Sequence, residues 1–289
     1  MIKNISKNIK LLSKPIVIEK NDDFSKQKAI FISKNTGIPI ENIFDEEIEK
    51  LNGEYNLVNN WTQINSNWYF IKQDLDCIKI INELLGVEIT NYFGLKSANN
   101  ILVKFKNSNN LLIASENCLD ENKDYYSYND LNIKKGNLEQ VITNIRNFCI
   151  NNNDTNYQLL NEIIKMTIRD LYCGDNDRHS KNFFIEKIDN KYNLAPLFDY
   201  DQSFNGKNLL THENIIMKIY LNNKKDKEII NNNIFFQESL NKLEEINMNS
   251  LLNAIENKHN IKISDDIKNY YLNHDRNIKE KVKRFGLKK

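Results

Sequence analysis

The stretch Gly174 to Phe184, GDNDRHSKNFF, together with the run that continues to Asp201, IEKIDNKYNLAPLFDYD, decides how the chain is read. Gly174 to Phe184 gathers two carboxylates, an arginine, a histidine, a lysine and two asparagines before turning apolar. Phe183 to Ile188 (FFIEKI) and Lys191 to Phe198 (KYNLAPLF) flank the turn pair Asp189 and Asn190, the pattern of a β-hairpin. If the turn centres between 189 and 190, antiparallel pairing sets residue 180 opposite residue 199. Asp177, Asn182 and Asp199 are then predicted to converge at one end of a two-stranded ribbon. Two carboxylates and a carboxamide are oxygen donors of the kind that suits Mg2+, which keeps its remaining positions for water or phosphate. Paired histidines and thiolates, the usual zinc ligands, do not occur on this face.

Composition confines the chemistry to local features. At 289 residues, one large or two modest lobes are expected, and two is the reading adopted. Lys plus Arg (40) nearly cancels Asp plus Glu (39), so no overall field points to a nucleic-acid or membrane partner. Cys77, Cys118, Cys149 and Cys173 are widely spaced and form no CxxC pair, which reads as reduced core residues. Lysines and a proline interrupt the N-terminal stretch before a signal-peptide core could form, and no run of ~18 apolar residues appears. A cytoplasmic protein is expected. The chain is rich in Asn, Lys and Ile, so a single well-placed Asn carries little weight, and patches such as Asn151 to Asp154, Asn222 to Glu228 and Asn231 to Asn233 read as solvated loops or helix caps.

Periodicity divides the chain into unlike halves. Ile38 to Lys50 reads as an acidic helix, Asn67 to Asp74 (NWYFIKQD) as a strand, and Asp76 to Gly86 as a helix stopping at its glycine. Ile101 to Lys106 and Asn110 to Ser115 read as two further strands. The second half is mostly helical, with segments at Asn137 to Ile150, Tyr157 to Leu171, Ile229 to Ile246, Asn249 to Glu256 and Ser264 to Lys283. The hairpin interrupts this helical half.

Phosphoryl transfer needs a carboxylate for the attacking hydroxyl, an Asn and a second Asp for metal ions, and a strand lysine for the nucleotide phosphates. Asp177, Asn182, Asp199 and Lys72 supply those types. The step from Asp177 to Asn182 equals that of the kinase loop HRDxxxxN, and Lys72 ends WYFIK much as a lysine ends the kinase strand VAIK.

GDNDRHSKNFFIE followed by LAPLFDYD resembles the catalytic signature of HipA-type serine/threonine kinases, a D-x-H-x-K-N-F block and then an L-x-P-x-Y-D block. The order Asp-Arg-His is also similar to the loop of phosphoinositide kinases. The resemblance extends more loosely through YFIK and ELLGVEITNYFGL, covering about Asn67 to Phe204. It implies an α+β, two-lobed protein-kinase-like fold: a small β-rich N-lobe at 1–118 and a larger, mainly helical C-lobe at 119–289, with ATP and Mg2+ in the cleft. By the same likeness Asp177 is the catalytic base and Asn182 and Asp199 carry metal. Lys72 meets the α- and β-phosphates, Lys181 belongs with the γ-phosphate or the loop, and backbone around Ser115, Glu116 and Cys118 holds adenine. His179 shapes the nucleotide-binding loop by hydrogen bonding.

The resemblance further implies a protein Ser/Thr acceptor, such as a translation factor or aminoacyl-tRNA synthetase, and the role of a toxin with an antitoxin partner. A small-molecule or lipid kinase, a nucleotide-binding pseudokinase and a phosphohydrolase using Asp175, Asp177 and His179 are the competing readings. The family's glycine-containing phosphate loop has no clear counterpart, since LNGEYNLVNNWTQINSN contains Gly53 alone. A separate protein supplying an N-terminal subdomain is a further expected partner. Glu83 is a candidate for the helix glutamate that pairs with the strand lysine. Plainer readings stand beside these: Asp177 and Arg178 as a surface ion pair, Lys72 as a solvent-facing strand end, Asp201 as a turn residue, Lys181 as solvated, and His274 to Arg276 as a solvated helix face. The tail KEKVKRFGLKK reads as an exposed helix end, and no direct nucleic-acid contact is expected.

Overall fold

A computed structural model describes residues 8–13, 16–18, 61–64, 67–72, 75–105, 111–120, 123–133, 136–175, 178, 183–204, 211–213, 218–220 and 223–284. In chain order, the first elements are β1 (Ile9–Leu11), β2 (Ile16–Ile18), β3 (Trp61–Ile64), β4 (Asn67–Lys72), α1 (Cys77–Tyr92), β5 (Asn100–Phe105), β6 (Leu112–Glu116) and β7 (Asp124–Tyr126). There follow α2 (Leu138–Asn151), α3 (Gln158–Cys173), β8 (Ile185–Ile188), β9 (Lys191–Leu194), β10 (Thr211–Glu213) and β11 (Lys218–Tyr220). The chain continues through α4 (Lys224–Asn232), α5 (Ile234–Glu245), α6 (Met248–His259), β12 (Ile261–Ile263) and α7 (Asp265–Arg284). The chain is thus α+β. The helix expected at 38–50 and the stretch searched for a phosphate loop up to Asn60 lie outside the described residues.

Contact density separates two units: residues 14–75 with 99–117, and residues 1–13 with 76–98 and 118–289. The smaller unit holds a five-stranded sheet in the order β2-β5-β6-β4-β3, antiparallel except for the β2–β5 pair. Alternation along β4 explains its orientation. Tyr69 and Ile71 point into a core with Ile64, Val103, Leu112 and Ala114, and half-buried Trp68, Phe70 and Lys72 take the other face.

The larger unit is mostly helical, and helix α1, expected to belong to the N-lobe, packs within it against α3 and α6. Asp76 caps α1 by accepting the Lys79 amide at 3.0 Å. Gly86, expected to end this helix, sits in its interior instead, and the helix continues to Tyr92 before Gly94 turns the chain at φ +75°. The reason is close packing. A Cβ at residue 86 would stand 2.3 Å from Cγ of Tyr200, so only glycine lets that ring lie against the helix.

Helix α2 begins with a reciprocal cap between Asn137 and Gln140, and α3 ends at Gly174 in the left-handed conformation. The single helix expected from Ile229 to Ile246 is two, α4 and α5. Asn233 leaves helical geometry between them (φ −110°, ψ 118°) and accepts the Phe235 amide at 3.0 Å.

The hairpin has the expected register. Ile185 pairs with Leu194 and Ile188 with Lys191, so the turn centres between Asp189 and Asn190. Both turn residues have positive φ, 48° and 62°, as a two-residue type I′ turn demands. Strand β7 adds a third strand that sequence patterning did not show. Near the N-terminus, β1 pairs antiparallel with β12, Ile9 opposite Ile263.

Cys77, Cys149 and Cys173 are buried free thiols, while Cys118 is half-buried. His274 and Asp275 do not form a solvated face: the His274 ring is buried with Nε2 2.7 Å from the Tyr172 carbonyl, and Asp275 accepts the Tyr172 hydroxyl at 2.8 Å. Among the described residues, no helix is long and apolar enough to cross a membrane.

Gly86→Ala is expected to lower stability by about 1–3 kcal/mol in urea unfolding, because forced overlap with the base of Tyr200 exceeds the alanine gain in helix propensity. A stability equal to or above wild type would contradict the packing described. Burial, reinforced by Lys258, lowers the His259 pKa from 6.5 to about 4, and burial lowers that of His274 as well. Because the unfolded chain takes up these protons more readily, stability is present above pH 6.5 and declines as pH falls toward about 4. Denaturant unfolding across that range should show the decline, and His259→Gln should make it shallower.

Candidate functional site

The hairpin ladder ends where the Ala195 amide donates to the Phe184 carbonyl at 2.9 Å. Beyond it the chain turns to a different partner. The Leu197 amide donates to the Lys96 carbonyl at 2.9 Å, and the Ala98 amide to the Leu197 carbonyl at 2.8 Å. Asp199 follows with φ +65°, a left-handed conformation that aspartate tolerates better than most side chains but still at some cost.

Both peptide groups flanking Asp199 are held. The Phe198 carbonyl accepts Nη1 of Arg178 at 3.0 Å, and the Tyr200 amide donates to Oε1 of the buried Glu83 at 3.2 Å. Asp199, Asp201 and Glu83 each place one carboxylate oxygen within 4.8 Å of the others. Nζ of Lys79 meets Asp201 at 3.3 Å, and Nδ2 of buried Asn82 donates to the carbonyls of Asp201 (3.0 Å) and Ser203. Asn82 in turn accepts the Tyr271 hydroxyl at 2.8 Å. Asp201 is therefore more than the turn residue its sequence context suggested. Three carboxylates in this spacing form a hard-oxygen donor set that fits Mg2+ and does not fit a soft-ligand metal.

A buried four-charge cluster underlies the loop. Arg178 donates through Nε and Nη2 to the two oxygens of Asp170 (3.2 and 3.3 Å) and through Nη2 to Asp175 (3.2 Å). Arg169 reaches Asp170 at 2.7 Å and Asp175 at 2.9 Å, and the Ser203 hydroxyl donates to Asp175 at 3.1 Å. All four charged residues are buried. Burial opposes the charge of both guanidiniums, yet the negative groups around them, Asp170 and Asp175 among them, more than offset it and raise both pKa values. Arg178 is thus not half of a surface ion pair. Asp175, one of the residues of the hydrolase reading, is bound into this cluster.

Tyr200 joins the two assemblies. The Arg169 guanidinium lies 4.5 Å from its ring centroid. Its hydroxyl meets Ser97 Oγ at 2.7 Å and Thr90 Oγ1 at 3.2 Å. Burial pushes its pKa up to about 12, against the lowering influence of Arg169, so it stays a neutral phenol at physiological pH.

Of the residues singled out from sequence, Asp199 has the surroundings just described, and Asp177, His179, Lys181 and Asn182 lie outside the described residues. In the smaller unit, Lys72 closes β4 opposite Ile113, Ser115 is buried in the central strand opposite Phe70, and the Glu116 carboxylate accepts Nδ2 of Asn67 at 2.9 Å. The Glu116 and Asn117 amides are spent on the carbonyls of Asn99 (2.8 Å) and Trp68 (2.7 Å). In the larger unit, the Cys118 thiol lies 3.8 Å from the Pro196 carbonyl. Sequence reading missed Arg169 and Asp170; the available signal was an Arg-Asp pair on the apolar face of a helix, where charges need partners.

No protein-family model matches the chain, and no curated protein matches it. Among solved structures, it is similar to the Helicobacter pylori proinflammatory kinase CtkA, at 18% identity and TM-score 0.55 over 78% of this chain and 92% of that one. The chain has a kinase-like fold. A looser likeness, at TM-score 0.44 and 12% identity, is to HipA of Shewanella oneidensis MR-1, solved with HipB and operator DNA; it covers 75% of this chain and 57% of that one. Within this kinase-like fold, Glu83, Asp199 and Asp201 form the only carboxylate-rich group with metal-ligand spacing among the described residues.

Asp170→Asn would leave two buried guanidiniums short of one charge, and a loss of about 3–5 kcal/mol is expected in chemical unfolding. A loss below about 1 kcal/mol would show that water enters the cluster and screens it.

Proposed function

We propose that the protein is an ATP- and Mg2+-dependent kinase that transfers the γ-phosphate to a hydroxyl, that of Ser or Thr of a protein. The observation that carries this reading is Asp199, held in a left-handed conformation beside Glu83 and Asp201 within a kinase-like fold. Asp199 and Asn182 would hold the metal, with Glu83 and Asp201 adding negative charge nearby. Bound Mg2+ would supply neutralisation of charge on the transferring phosphoryl group.

Asp177 orients the acceptor hydroxyl and accepts its proton, so that its oxygen can approach the γ-phosphorus in line. Lys72 offsets charge on the α- and β-phosphates, with Lys181 serving the γ-phosphate. His179 shapes the loop, and backbone near Ser115, Glu116 and Cys118 receives the adenine; because the Glu116 and Asn117 amides are spent, the base is read mainly by other groups of that stretch. The motif resemblance supports a toxin kinase acting in the cytoplasm, with a translation factor or aminoacyl-tRNA synthetase as target and an antitoxin or separate N-terminal subdomain protein as partner. A small-molecule or lipid kinase is the second reading, favoured by the nearness of Asp199 and Asp201, paired aspartates of the kind found in small-molecule phosphotransferases.

Cell lysate incubated with the protein, Mg2+ and heavy-labelled ATP is expected to yield phosphorylated Ser or Thr peptides by mass spectrometry. Asp177→Asn and Asp199→Asn should each abolish them. Label found only in metabolites or lipids would select the second reading. Absence of transfer by wild type to any acceptor would leave a nucleotide-binding pseudokinase.

A further inference from the structure

We propose that Arg178 is a positioning residue that sets the conformation of Asp199 for metal binding, an inference that rests on the kinase reading above. Arg178 spends its whole guanidinium on fixed acceptors. Asp170 takes Nε and Nη2 in a fork and Asp175 takes Nη2, which leaves Nη1 aimed at the Phe198 carbonyl at 3.0 Å. That carbonyl belongs to the peptide group immediately before Asp199, so fixing its plane fixes one side of the φ rotation of Asp199. The Tyr200 amide, held by Glu83 at 3.2 Å, fixes the peptide plane on the other side. A left-handed aspartate costs energy and persists only where its surroundings over-determine it. Here the two clamps come from opposite directions, one from a cationic fork and one from a buried carboxylate.

The consequence is a mechanical link within the larger unit. Arg178 is the residue after Asp177, the proposed base, and its side chain reaches the backbone beside the proposed metal ligand. One guanidinium therefore ties the residue that follows the proposed base in sequence to the backbone beside the proposed metal ligand. Lysine cannot replace it. An ammonium restores the same single positive charge, but it lacks the planar fork that reaches two carboxylates and a carbonyl together.

The test is Mn2+ binding to full-length protein in the presence of a non-hydrolysable ATP analogue, followed by electron paramagnetic resonance, with thermal unfolding measured in parallel. Arg178→Lys is expected to weaken Mn2+ binding about 10- to 100-fold, the usual scale for losing an outer-shell support, at temperatures where the variant remains folded. An unchanged Mn2+ affinity with only a lowered unfolding midpoint would overturn the positioning role and leave Arg178 a structural residue. If Arg178→Lys does not fold, Ser203→Ala carries the test. It removes one bond to Asp175 and no charge, and at least a threefold loss of Mn2+ affinity supports the proposal while no loss overturns it. Wild type that binds Mn2+ with the analogue but transfers no phosphate would sink the kinase reading separately from the positioning of Asp199. Wild type that binds no Mn2+ would overturn both.

Discussion

Two arginines and two aspartates share a site sealed from water, and the candidate site depends on their mutual neutralisation. Removing such charges from solvent is costly, so they persist only in an arrangement where each finds fixed partners. Asp170 and Asp175 bridge Arg169 and Arg178, the Ser203 hydroxyl donates to Asp175, and the Phe198 carbonyl accepts from Arg178. One acceptor and one donor of this network, the Phe198 carbonyl and the Ser203 hydroxyl, lie in the segment from Phe198 to Ser203, so folding the cluster and shaping the loop around Asp199 are a single event. Tyr200 extends the constraint to helix α1, since its ring covers Arg169 on one side and needs the bare backbone of Gly86 on the other.

The hairpin was legible in the sequence because every local signal agreed. Asp189 and Asn190 tolerate positive φ, and the apolar runs on either side fix the register. Strand β4 and the helical segments were equally readable from their periods. The acidic group was legible only in its members: Asp199 was read as a metal ligand and Glu83 as a candidate helix glutamate, but their meeting was not, because Glu83 stands 117 residues before Tyr200, whose amide it accepts. Gly86 was misread for a related reason. A helix-ending glycine and a glycine making room for a distant ring look the same in one dimension. His274 and Asp275 looked solvated because a short polar triplet carries no sign of the Tyr172 groups that receive it. The Asn231 to Asn233 patch read as a loop or helix cap, and Asn233 is one, yet the apolar spacing that continues across it suggested a single helix.

The smaller unit makes a simpler statement about chemistry. Strict alternation in β4 commits Tyr69 and Ile71 to the core and thereby gives Lys72 the opposite face, in company with Trp68 and Phe70. A half-buried lysine on a face shared with aromatic residues keeps its stem partly out of water while its ammonium stays near solvent.

The pairing of β1 with β12 bears on how the chain is made. Ile9 leaves the ribosome early, yet its partner Ile263 is synthesised only after about 250 more residues, a delay of roughly 12–50 s at 5–20 residues per second. Until then the first strand of the larger unit has an open edge, and the smaller unit, whose described strands end at Glu116, is complete in sequence long before it. The nascent protein is thus obliged to wait with this strand unpaired, a period in which a chaperone or a binding partner can cover its open edge.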